Sequence, residues 1–454
     1  MEWAAFLPSQ PEPWGSGCRL AMANLDDDDD EEEQRLASEA RHPASIEYSL
    51  RVVLGLLRVL GLRPGWGWEG GRRRRLALHS FSLALLLLHL GICGLACLAV
   101  AEYVMGFGVW HIFSVAAIIG IIKPTVNIVN FAGALLLARH HERFLKRFTR
   151  LHYRLRAPHL DGHARSVVRR PPYKRYASAM LLTTGGSYAL TLAVTIADNA
   201  YKGQSLSDDV VGMALLPLMS VWGIAPVAYY LVLLHLIARH LSNLRRKLAT
   251  VRRPRPCFLR DTFHEFQLVS QALAGVMDYF GPWLLFTLFW SLVSLCLTIY
   301  FLEQTGQVMA LPSFVDPATV LPEDVTAYRT AVVFNLIWTG LHVCFGVANI
   351  LLIPYSGAKI NEKCRLVVNT VLNCAARLTS PGEEDEFYIA AFHHKLATQR
   401  AWGVSIWRAF PVERSVFFTI VSAAVTYAVL LMRYAKTKDG GSLAAAQNAT
   451  HTLY

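Results

Sequence analysis

Charge is scarce in this chain. Asp, Glu, Lys and Arg supply 17% of its residues and hydrophobic types 54%, a balance that favours one lipid-solvated domain over the two or three soluble domains its 454 residues would otherwise suggest. Motifs that carry chemistry are missing as well. There is no phosphate-cradling glycine loop, no GxSxG elbow and no Cys-x-x-Cys pair, so the common enzyme classes gain no support. The pairs His140-His141 and His393-His394 stand alone on arginine-rich segments rather than in repeated HxxxH or HxxHH boxes, so they read as surface histidines, and neither metal nor cofactor is expected. No apolar signal-type stretch follows Met1. The first 45 residues are polar and include the acidic run Asp26 to Glu33, so the expectation is a disordered cytoplasmic tail without a cleaved signal peptide, the first span serving as the insertion signal.

Long hydrophobic runs are plentiful. A bilayer core needs roughly 20 apolar residues per helix, and seven stretches approach this: Leu76 to Val104, Trp110 to Leu137, Ala177 to Ala197, Val210 to Ile237, Phe280 to Leu302, Thr330 to Tyr355 and Val416 to Tyr434. The fold class expected is therefore all-α, a polytopic protein with seven transmembrane helices. The net charge of +11 does not form an aromatic-interleaved basic domain, so no nucleic-acid partner is expected. Its distribution sets the orientation instead, because positive flanks are retained in the cytoplasm. Arg58, Arg63 and Arg72 to Arg75 precede the first span, and Arg139 through Arg175 crowd the connection after the second. Between the first and second spans there is no Lys or Arg, between the third and fourth only Lys202, and between the fifth and sixth only Arg329.

The N-terminus is therefore expected inside and, after an odd number of spans, the C-terminus outside, where the sequon Asn448-Ala449-Thr450 is a candidate glycosylation site. This is the inverse of the G-protein-coupled receptor arrangement. Glu142-Arg143-Phe144 and the stretch Asn349 to Tyr355 mimic motifs of those receptors but follow the wrong span or lack the Asn-Pro adjacency. All eight cysteines fall in spans or cytoplasmic segments under this topology, so no structural disulfide is expected. Segments Arg239 to Leu273 and Asn361 to Trp407 mix apolar and charged residues at helical spacing, which predicts helices running below the membrane into an intracellular anchoring domain. Polar residues inside spans are costly and often functional. Here they are Lys123, Asn127 and Asn130 in the second span and Asn335, His342 and Asn349 in the sixth.

The end of the chain reads Gly403-Val-Ser-Ile-Trp-Arg-Ala-Phe410, Val412-Glu-Arg-Ser415, then a hydrophobic run closing on Thr426-Tyr427-Ala-Val-Leu-Leu-Met432-Arg433-Tyr434. This resembles the insect gustatory receptor family, whose signature is Thr-Tyr, five hydrophobic residues, then Gln-Phe. Thr426, Tyr427, Arg433 and Tyr434 occupy that frame, with Arg433 in place of Gln and Tyr434 in place of Phe. Ser49 to Pro64 is similar to the amphipathic stretch before the family's first span.

The resemblance implies a ligand-gated, nonselective cation channel, a homo- or hetero-tetramer of gustatory receptor subunits in the plasma membrane of a sensory dendrite. A small extracellular tastant opens it, and the seventh helix of each subunit lines one pore. The layout expected is a tail at 1–45, an amphipathic pre-span segment at 46–75, a channel domain at 76–434 with anchor segments near 239–279 and 356–412 and a pore helix near 413–434, and an extracellular tail at 435–454. Ser422, Thr426, Val429 and Arg433 share one helix face by spacing, and Val429 or a neighbouring leucine would serve as a dewetting gate. The plain alternative is ordinary helix packing. Four Arg433 guanidinium groups on one axis would repel cations, unless the side chain snorkels to the outer interface, partner subunits carry Gln, or conduction departs from the family pattern.

Trp110, His111, Tyr300, Asn335, Trp338 and His342 map to the outer half of the bundle, where aromatic rings and a few polar groups suit a sugar, a bitter compound or another small organic molecule. Interfacial aromatic belts and interhelical hydrogen bonds are the alternative. Insect odorant receptors share the architecture. The other reading is a nonconducting membrane protein or transporter, though no inverted repeat relates the two halves.

Overall fold

The computed structural model describes residues 46–62, 72–107, 112–145, 148, 173–201, 210–250, 258–310, 322–376, 383–398, 404–406, 410–411, 415, 418–430 and 433. Helices dominate: α1 (Ile46–Val59), α2 (Arg72–Phe107), α3 (Ile112–Leu136), α4 (Tyr173–Tyr201), α5 (Val210–Thr250), α6 (Phe258–Ala310), α7 (Pro322–Ala375) and α8 (Glu383–Thr398). A two-residue antiparallel pairing follows, β1 (Ser405–Ile406) with β2 (Phe410–Pro411), and then α9 (Phe418–Leu430).

Among the described residues six helices are long and apolar enough to cross a membrane: Leu76–Gly106, Ser114–Leu136, Arg175–Tyr201, Gly212–Ala249, Phe258–Leu302 and Leu336–Ala375. The seventh expected span is the shorter apolar α9. Its thirteen described residues reach about 20 Å at 1.5 Å per residue, less than a hydrocarbon core of about 30 Å, and several of the residues flanking it lie outside the described set.

Position in the bundle follows from which faces are apolar. In α2 only 6% of the most hydrophobic window is buried against protein, and Leu83, Leu87, Leu95 and Leu98 point away from the bundle. In α5 the share is 67%. That helix is the hub, in contact with α3, α4, α6 and α7. The main core runs along it through Tyr230, Leu233, Ile237, Leu241 and Leu248, which meet Phe131, Phe144, Val276, Leu284, Ile360 and Val367 from its neighbours.

Prolines interrupt α3, α5, α6 and α7. A proline lacks the N–H that would reach the carbonyl four residues earlier, and in hydrocarbon that carbonyl needs another donor. Pro226 in α5 frees the carbonyl of Trp222 in this way, and the Asn130 side-chain amide of α3 donates to it at 3.1 Å. The Oδ1 of the same Asn130 accepts the indole N–H of Trp283 on α6. One buried amide therefore ties α3, α5 and α6 together.

The amphipathic α1 is docked rather than loose. Its apolar face (Leu50, Val53, Leu54, Leu57) joins the main core, and its chain reverses at Gly61, whose φ of 70° is a left-handed conformation that glycine adopts at no steric cost. A Cβ there would come within 2.6 Å of Leu85 Cδ1. The carbonyls at this turn are claimed from the bundle: Trp222 Nε1 donates to Leu60 O at 3.1 Å and Ser82 Oγ to Gly61 O at 2.7 Å.

At the opposite end of α5 from its start, the helices continue together well past the apolar stretch. Lys363 Nζ donates to Ala238 O and Ser242 Oγ at 3.0 and 2.7 Å, Lys247 pairs with Glu265 at 2.6 Å, and α8 inserts Phe392 against Phe263 and Phe266 of α6. The buried Asn361 accepts from the Val404 amide at 2.7 Å, which fastens the β1 segment to α7.

Replacing Asn130 with leucine would leave the Trp222 carbonyl and the Trp283 indole N–H buried without partners, at roughly 1–3 kcal/mol for each group. Asn130→Leu is expected to lower the thermal midpoint of the detergent-solubilised protein, read by fluorescence-detected size exclusion. Thr183→Ala, which removes a hydroxyl exposed on α4, should leave that midpoint within a degree or two of the unsubstituted protein.

Candidate functional site: a polar cavity inside the helix bundle

Lys123, Asn127 and Asn130 recur at four- and three-residue spacing, which places them on one face of α3, and that face is turned towards α5. Asn127 donates through Nδ2 to Met219 O at 3.1 Å and lies 3.3 Å from His89 Nε2. His89 Nδ1 is 2.8 Å from Leu85 O, so it carries the proton and Nε2 is the acceptor. One turn closer to the start of α3, Lys123 Nζ donates to Ser220 Oγ at 2.8 Å. The same hydroxyl oxygen accepts from Thr191 of α4 at 3.0 Å. The ring of Trp338 on α7 lies 5.5 Å from the ammonium, within cation–π range.

Lys123, Asn127, Met219 and Ser220 are among the residues that wall a cavity of about 80 Å³ bounded by α3, α5, α6 and α7. Thr287, Trp290, Ser291 and Ser294 form its α6 side, and His342, Phe345, Gly346 and Asn349 its α7 side. Gly346 faces Ser291 closely, and a Cβ there would meet its carbonyl oxygen at 3.5 Å, an ordinary van der Waals contact. Asn349 Nδ2 reaches Ser291 Oγ at 3.4 Å. Four wall atoms are buried without a partner: Asn127 Oδ1, Thr287 Oγ1, Trp290 Nε1 and His342 Nε2. His342 Nδ1 is committed to Trp338 O at 2.8 Å. A volume of 80 Å³ is several times the roughly 10–15 Å³ that a single water needs. Pockets for drug-sized ligands begin near 300 Å³.

Lys123 lies about 16 Å from the start of α3 at 1.5 Å per residue, near the middle of a bilayer core. Between the cavity and that end of the bundle is a separate buried cluster of Val115, Ile119, Tyr300 and Phe301, with Leu297 and Leu336 packed on it. This apolar plug lies one to two turns nearer the start of α3 than Lys123.

The six candidate ligand residues fare differently. His342 lines the cavity, Trp338 covers the Lys123 ammonium, and Tyr300 belongs to the plug. Asn335 lies on α7, its side chain outside the described residues, as are Trp110 and His111 entirely. The wall residues Ser220, Thr287, Trp290, Ser291 and Ser294 carry no sequence signal, since serine, threonine and tryptophan are ordinary in spans. Lys123 does, being a lysine in an otherwise apolar run.

The final helix has two unlike faces. Ala424 and Ala428 are buried, and Cys296 Sγ of α6 approaches Ala424 O at 3.5 Å. Ser422, Thr426, Val429 and Arg433 lie on the far side, all exposed, with Thr426 Oγ1 returning to Ser422 O at 2.8 Å. Tyr427 is exposed too, while Tyr434 and Asn448 fall outside the described residues. A second, open concavity of about 510 Å³ lies between α5 and α7 at the α8 end, lined by His235, Arg239, Arg246, Lys359 and Lys363.

Ser220 is the hydrogen-bond acceptor of the buried lysine, so Ser220→Ala is expected to destabilise the protein by roughly 1–3 kcal/mol, whereas Lys123→Met, which removes the charge and keeps the length, should cost less. The double variant should recover most of the loss caused by Ser220→Ala. A thermal-denaturation double-mutant cycle measures this coupling; additive losses would show that the two side chains act independently.

Residues 50–437 match the family described as 7tm chemosensory receptor. The chain is also similar to a Caenorhabditis elegans protein named probable G-protein coupled receptor egl-47, with 28% identity over 409 residues that cover 86% of this chain and 74% of the nematode protein. The match to the family takes in every helix that lines the cavity and the final helix, and the chain is accordingly a multi-pass membrane protein belonging to the 7tm chemosensory receptor family.

Proposed function

We propose that the chain is a subunit of a ligand-gated, nonselective cation channel, a tetramer in the plasma membrane of a sensory cell that opens on binding a small extracellular tastant. The observation that carries this reading is the position of α6. It supplies Trp290, Ser291 and Ser294 to the cavity wall, and two residues further on Cys296 meets Ala424 of the final helix. Occupancy of the cavity therefore acts on the same helix that supports α9. A bulky ligand wedged between α6 and α7 would part them, and a displaced α6 carries its α9 contact with it. A ligand favours whichever arrangement it binds better, which is how binding would shift the population towards an open state.

The two-faced α9 fits a pore-lining role. Small residues let it pack closely on α6, and the opposite face offers Ser422 and Thr426 hydroxyls with Val429 beyond them, a sequence of polar lining and apolar constriction. Four such faces around an axis would need the neighbouring subunits to be complete. Arg433, at the end of this helix, reaches towards the outer interface in this reading, clear of the conduction path. The orientation proposed rests on the arginine-rich connection after α3 and the Lys- and Arg-poor ones after α2 and α4, and in it the start of α3 and the plug face outside.

The relative's name raises signalling through a G protein as a second route. The two separate in an excised patch. Cells expressing the chain, alone or with a second family subunit, are expected to give ligand-evoked cation current from a panel of sugars, bitter compounds and organic acids. That current should persist in outside-out patches bathed in nucleotide-free solution. A response that vanishes without GTP would contradict the channel reading.

A further inference from the structure

Lys123 brings an ammonium into the helix bundle. Its ammonium has three N–H donors, of which one is spent on Ser220 Oγ at 2.8 Å. Among the described residues no carboxylate pairs with it, and Trp338 offers it only a ring face at 5.5 Å. An unpaired charge within a membrane bundle is costly unless something neutralises it. The surrounding wall deepens the imbalance. Trp290 Nε1 can only donate and has no acceptor, and the Thr287 hydroxyl is likewise buried without a partner. Ser291, Ser294 and Asn349 add further hydrogen-bonding groups, while Ile122, Ile224 and Phe345 close the remaining sides with apolar surface.

We infer that this cavity is a binding site for a short-chain monocarboxylate, the carboxylate lying on Lys123 with the Trp290 indole N–H as a further donor and the alkyl group against the apolar wall. Size supports the class. A cavity of about 80 Å³, well under the roughly 300 Å³ at which pockets for drug-sized ligands begin, suits a small acid such as acetate better than a sugar. Charge selects the anion over its neutral isosteres, because only an anion relieves the buried ammonium. Two unpartnered wall atoms, His342 Nε2 and the acceptor Asn127 Oδ1, do not suit a carboxylate directly, and a water between each of them and the ligand would satisfy both sides. This inference rests on the receptor reading, since it names the chemical class of ligand for the same cavity.

Direct binding to the purified full-length chain in lipid nanodiscs tests it without reference to current. Thermal unfolding is followed by tryptophan fluorescence while sodium acetate, acetamide or sodium chloride is titrated at constant ionic strength. Acetate is expected to raise the midpoint saturably, and neither isosteric acetamide nor chloride should do so. In Lys123→Met the acetate affinity should fall by at least about tenfold. If that variant does not purify, the contrast between acetate and acetamide on the unsubstituted chain decides alone. A flat acetate titration, an equal response to acetamide or chloride, or unchanged acetate affinity in Lys123→Met would overturn the proposal. Acetate binding by a chain that carries no current would preserve this site and sink the channel reading, and tastant-evoked current without acetate binding would do the reverse.

Discussion

Inside hydrocarbon every polar group must be met by protein, and the rest of this structure is organised around that requirement. Backbone groups satisfy it locally by forming helices, so the chain becomes a set of long rods. Where a proline breaks the local solution, a side chain from another rod has to supply it. Asn130 does so for the carbonyl freed by Pro226, and because its Oδ1 also accepts from Trp283, the repair of one helix becomes the joint between three. The turn after α1 works on the same logic, its carbonyls claimed by Trp222 and Ser82. Apolar burial alone does little to distinguish protein from lipid as a neighbour, so these polar contacts set which helix faces which.

The same requirement makes the cavity informative. Around Lys123 the demand is only partly met: Ser220 takes one proton, and Trp290, Thr287 and His342 each present a buried atom with no partner. Such shortfalls in a native structure call for an explanation, and a ligand site is the one consistent with the family. The plug of Val115, Ile119, Tyr300 and Phe301 packs between the cavity and the start of α3, while α6 joins the cavity physically to α9. A receptor needs a ligand site whose filling is felt at a distance, and a single helix shared by both regions is a short route for that coupling.

Much of the architecture was legible in the sequence because a run of some 20 apolar residues has few alternatives to a membrane helix. The run Leu76 to Val104 corresponds to a helix window of Leu76–Gly106, and Ala177 to Ala197 to Arg175–Tyr201. Less legible was how far α6 and α7 continue, since mixed apolar and charged residues signal a helix without saying that it is unbroken from Phe258 to Ala310 or from Pro322 to Ala375. The final span is also shorter in its described part than its hydrophobic run. For the site, the sequence marked Lys123, Asn127, Asn130, His342 and Asn349 as polar residues in apolar surroundings. It did not tell which would converge. Grouping by depth alone joined Tyr300, a plug residue, with His342, a cavity residue, because depth is readable from position along a span whereas rotation about the helix axis is set by packing against neighbours.

The central claim is that the exposed face of α9 lines a conduction path while its alanine face holds it to α6. Cysteine scanning through residues 422–430 of the conducting channel, with a charged methanethiosulfonate reagent applied during ligand-evoked current, tests this most directly. The account predicts rapid modification and block at Ser422, Thr426 and Val429, with Ala424 and Ala428 unreactive. Block at Ala424 and Ala428 with Ser422 and Thr426 inert would contradict it.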